Sequence, residues 1–144
     1  MKSILVAIDI DENSEQLVAK AREMANAFGS KIWLMHVAAP DPDFVGYGVG
    51  PQYIRDSLAE ELRDEHRALQ AFAEELKKDG LEAEGLLIQG ATVELILKEA
   101  EELKVEMIIT GHHEHGFLYK WFADPVSEEL IKRSNIPVLI VPFR

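Results

Sequence analysis

Five apolar runs, separated by amphipathic stretches, constrain this chain more than any other feature. The first, "SILVAID" (Ser3 to Asp9), is continuous in its apolar core instead of alternating. Such a run reads as a strand buried on both faces, which belongs in a parallel sheet. "KIWLMHV", "LEAEGLLIQ", "KVEMIITG" and "IPVLIVPF" supply four more strands. Between the first two, Leu17, Val18, Ala21, Met24, Ala25 and Phe28 recur at helical spacing. Ser14 or Asn13 is placed to cap that helix, and Gly29 to end it. A long helix is expected over Gln52 to Asp79, with Ile54, Leu58, Leu62, Leu69, Phe72 and Leu76 as its apolar stripe. "GATVELILKEAEEL" starts a third helix with Thr92 as its cap, and a fourth runs from Pro125 to Ser134. The order β-α-β-α-β-α-β-α-β predicts a five-stranded open parallel sheet, doubly wound, with helices on both faces.

With 144 residues the chain has room for one domain, expected to span 1–144. It has no cysteine, which excludes disulfides, thiolate metal sites and a cysteine nucleophile. The formal net charge is -11 with no Lys/Arg cluster, which argues against nucleic acid as a partner. The apolar run "ILVAI" is broken at Asp9, too early for a signal peptide. No apolar stretch approaches the ~20 residues of a membrane span. We therefore expect no membrane partner.

In a sheet of this kind ligands sit beyond the carboxyl ends of the strands, where strand order reverses. The turns after the first four strands bring Asp9, Val37, Gly90 and Gly111 to that edge. The loop from Ala38 to Pro51 carries three Pro and three Gly, and its length suits a binding loop. Phe44 and Tyr47 in it are placed to close over a ligand or to cover the sheet edge.

The runs "ILVAIDIDENSE", His36-Val37, and "TG" with its His-rich loop leading into "VSEELIKRSNIPVLIVP" resemble the universal stress protein family. The resemblance covers Ser3 to Pro142. It implies a Rossmann-like fold related to the adenine-nucleotide alpha hydrolases and a cytoplasmic stress-response protein. It also implies a homodimer paired through the C-terminal strand. AMP or ATP is the implied ligand, with Asp9, Val37, Gly90, Gly111 and Ser127 as the nucleotide-binding positions.

The family's nucleotide motif is G-x-x-G, nine residues, then G-[ST]-x-[ST]. Set on Gly111, its later positions fall on Glu114, Asp124, Pro125 and Ser127. Only Gly111 and Ser127 match. A phosphate needs close backbone approach and the free amides of a helix N-terminus. Asp124 as an N-cap occupies such amides itself, and Pro125 offers none. Glu114 adds a second carboxylate; each carboxylate within ~6 Å of a phosphate costs on the order of 1–3 kcal/mol. We therefore expect an altered crevice with weak or absent ATP binding, in a regulatory or interaction protein. The alternative is an ATP/AMP sensor using the same crevice.

His112, His113 and His115 around Glu114 offer ligands for zinc, nickel or copper. Neighbouring loop residues rarely converge on one tetrahedral ion. We expect a solvated loop and no metal, with histidine-held metal as a further alternative. Lys120 adds positive charge to the same loop, and Trp121 and Phe122 read as core or dimer contacts. Asp9 and Asp11 lack a further acid or base at a fixed spacing, so no catalytic residues are expected.

Overall fold

The computed structural model describes residues 1–38, 52–113 and 125–143. The strands are β1 (Ser3–Ala7), β2 (Lys31–Ala38), β3 (Ala83–Gln89), β4 (Met107–His113) and β5 (Val138–Phe143). Between them lie α1 (Ser14–Phe28), α2 (Gln52–Lys78), α3 (Thr92–Glu102) and α4 (Pro125–Arg133). The strands form one parallel sheet in the order β3-β2-β1-β4-β5. The expected α/β architecture is thus present, and strand order reverses on either side of β1.

The central position of β1 explains its unbroken apolar run. Ile4, Leu5 and Val6 are fully buried, alternating between the two faces. On one face α1 and α2 bring Leu17, Val18, Leu69 and Leu76 onto Ile4, Val6 and Ile109. On the other, α3 and α4 bring Val93, Ile96 and Leu130 onto Leu5, Met35 and Ile108. Each such aliphatic side chain contributes about 1.5–3 kcal/mol of burial. Gly85 within β3 makes room for α2, since a Cβ there would meet Leu69 Cγ at 3.0 Å.

Two helix starts differ from expectation. Asn13 is the N-cap of α1 by position, but no side-chain cap bond forms. The Ser14 hydroxyl instead donates to the Asp9 carbonyl at 2.7 Å and accepts from the Asp11 amide at 2.9 Å. It folds the "DENS" turn back onto the end of β1. The cap of α3 is Ala91, not Thr92, and again no side-chain cap bond forms. Gly29 does close α1, with φ 65° and ψ 36° and its amide on the Ala25 carbonyl. The second helix ends at Lys78 and the fourth at Arg133, each one residue short of the expected end. The expectations for Phe44, Tyr47, Glu114, His115, Lys120, Trp121, Phe122 and the Asp124 cap lie outside the described residues.

Candidate functional site

The carboxyl ends of β1 and β4 part at an open crevice with a volume of ≈ 40 Å³. Asp9, Val37 and Gly111 all line it, as the end-of-strand rule anticipates. Asp9 is exposed and follows the buried Ile8, so its carboxylate stands at the rim. Among the described residues, Gly90 and Ser127 are not part of the wall.

The rim at Asp9 is held from both sides. Ser14 grips the Asp9 carbonyl from α1. From β2, the His36 Nδ1–H donates to the Ile8 carbonyl at 2.8 Å. The other ring nitrogen, Nε2, lies 3.1 Å from the Glu65 carboxylate on α2. His36 is buried, so the β1 exit, β2 and α2 meet at one imidazole. Its neighbour Val37 points to the opposite face, where it packs with Leu5 and Met35 below the crevice.

Gly90 closes β3 with φ 149°, in a region that side chains avoid, and its amide donates to the Ala38 carbonyl at 3.2 Å. It fastens the ends of β2 and β3 to each other. Ser127 faces inward from α4 and is only 2% exposed, with its hydroxyl 3.3 Å from His112 Nδ1. The helix spacing accounts for this, because Ser127 shares a face with the fully buried Leu130. Gly111 has a packing role of its own. A Cβ built on it would collide with the Phe143 ring, which folds over it from β5.

Phe143 and Thr92 also line the crevice, and neither is anticipated as a site residue. The signal for Phe143 lies in the same rule that yields the other positions, applied to the fifth strand as well as the first four. Behind the wall, Arg133 on α4 bonds Glu94 on α3 at 2.9 Å and holds that carboxyl below its ordinary pKa. Among the described residues no group of three or more His, Asp or Glu is placed to hold a metal ion. Nor does any described helix have the length and apolar character to cross a membrane.

Comparison with known proteins agrees with this frame. The model of the universal stress protein family matches residues 1–142. A universal stress protein of Thermus aquaticus is 29% identical over 142 residues, covering 97% of this chain and 98% of its own. Universal stress protein C of Escherichia coli strain K12 is 30% identical over 144 residues, covering 98% and 95%. Among solved structures, a universal stress protein from Archaeoglobus fulgidus in complex with dAMP aligns with a TM-score of 0.68 at 21% identity. That alignment covers 98% of each chain. With its sheet order, its crevice and a match along nearly all of its length, this chain belongs to the universal stress protein family.

Proposed function

We propose that this chain is a non-enzymatic, cytoplasmic stress-response protein, one domain over residues 1–144, that regulates or binds other proteins and holds ATP weakly or not at all. The observation that carries the reading is the engagement of the two motif positions the sequence retains. Ser127 is turned into the protein against His112, and Gly111 lies under Phe143. The three replaced positions, Glu114, Asp124 and Pro125, add carboxylates and remove an amide where an anion needs donors.

The test begins with protein that is purified, denatured and assayed for released adenine nucleotide, followed by calorimetric titration with ATP and AMP. We expect no co-purified nucleotide and an ATP Kd of about 1 mM or weaker, no better than about −4 kcal/mol. A micromolar ATP Kd would sink the reading. Combining Glu114→Gly, Asp124→Gly and Pro125→Ser should strengthen ATP binding, and an unchanged affinity would show that the loop was not the obstacle.

The second reading is an AMP or ATP sensor, favoured by the dAMP complex of the A. fulgidus relative with the same fold. Asp9 and Val37 on the crevice wall would then contact the base and ribose, with Gly111 at the phosphate side. Micromolar binding of AMP in the same titration selects it.

We also propose a homodimer paired through β5. This strand is the sheet edge, and Val138, Leu139 and Ile140 on it are only half-buried. Ile131 on the preceding α4 is 58% exposed. An apolar β-branched edge of this kind is a template for pairing. Sedimentation velocity at micromolar concentration should give a dimer; a stable monomer refutes the pairing.

A further inference from the structure

The last residue of an edge strand is normally free to turn to water, yet Phe143 is only 9% exposed. Its ring leans over β4 into the space that a side chain at position 111 would need. Gly111 is the first residue of β4 beyond its pairing with β1, which ends at Thr110, and it lies beside the point where strand order reverses. An anion bound at the end of β4 must come close to that backbone, and the ring covers it from the α1 side. The crevice is thereby uneven. Toward β1 and β2 it is walled by Asp9 and Val37, while toward β4 and β5 it ends on an aromatic ring.

We propose that Phe143 is the specificity-determining residue of the crevice, a plug that admits an adenine nucleoside or nucleoside monophosphate and shuts out the longer phosphate chain of a triphosphate. The proposal rests on the altered-crevice reading above and adds to it a residue outside the family motif. The motif loop limits phosphate binding by its charge and missing amides. Phe143 limits it by shape, so the two act independently.

The experiment compares the full-length protein with Phe143→Leu and Phe143→Val, titrating each with adenosine, AMP and ATP. Thermal melts first establish that the variants fold; Phe143→Leu preserves most of the packing and serves if Phe143→Val does not. We expect truncation to raise ATP affinity by about tenfold relative to adenosine, a shift of about 1.4 kcal/mol, with AMP between them. Affinities for all three ligands that rise together, or an ATP-to-adenosine ratio that stays constant in a folded variant, would overturn the plug. If the wild-type protein binds ATP tightly, the altered-crevice reading falls. The change in that ratio on truncation still decides the role of Phe143 separately.

Discussion

Gly111→Ala is expected to destabilise the fold by about 1–3 kcal/mol, the usual cost of overpacking a filled site. The sign is informative because the ordinary expectation is the reverse. Alanine in a strand interior is favoured over glycine by roughly 0.5–1 kcal/mol. The reversal has one source, the Phe143 ring lying where the new methyl must go. Phe143→Ala by itself should cost about 3–5 kcal/mol, less whatever the edge position lets relax. With the ring gone, adding Gly111→Ala should be neutral or mildly stabilising. The double-mutant cycle should therefore close with a coupling of about 1–3 kcal/mol. Urea unfolding with unchanged m-values measures all four corners. A harmless Gly111→Ala in the presence of Phe143 would show that the ring gives way at no cost, and that the glycine is kept for another reason.

Gly90→Ala is the second large effect, by a different route. Here the backbone itself is the obstacle, since φ of 149° is a conformation that costs a residue with a side chain about 1–3 kcal/mol. A Cβ would also meet the Leu95 Cδ1 at 2.7 Å, although that methyl ends a flexible side chain and can shift. We expect a fall of about 2 kcal/mol, seen as a drop in Tm of roughly 5–10 °C. Because Gly90 stands outside the crevice wall, nucleotide affinity measured well below the melting range should not change. A stable variant with altered nucleotide affinity would instead make Gly90 a ligand contact.

These two glycines show how far the sequence could be read. The strands were legible because each is an apolar run, and the helices because their apolar positions recur at the right spacing. Which strands neighbour one another was not, because a parallel sheet leaves pairing to the crossovers. Asp9, Val37 and Gly111 followed from one rule about strand ends. Phe143 obeys the same rule, but its strand reads first as an apolar edge and a dimer surface. For Ser127, motif spacing gives a position along the chain but does not say which way a helical side chain faces. Its i+3 neighbour Leu130 does, since both belong to the buried side of α4. Ser14 and Thr92 show the ambiguity of small polar residues near helix starts. Ser14 bonds backward to the β1 turn, and Ala91 caps α3 by backbone position alone.

The central place of β1 has a further consequence, in the order of folding. β1 is the first strand synthesised, and β2 reaches one side of it after a single helix. Its other side, Ile4 to Ala7, stays open until Met107 to Thr110 arrive. Closing so long a loop adds only a logarithmic entropy cost, but such non-local pairing is slow. Until then the growing chain carries an unpaired apolar edge at its heart, the kind that joins a neighbour's strand. The arrival of β4 therefore ends the chain's most aggregation-prone stage, and a chain cut after Gln89 would keep that edge for good.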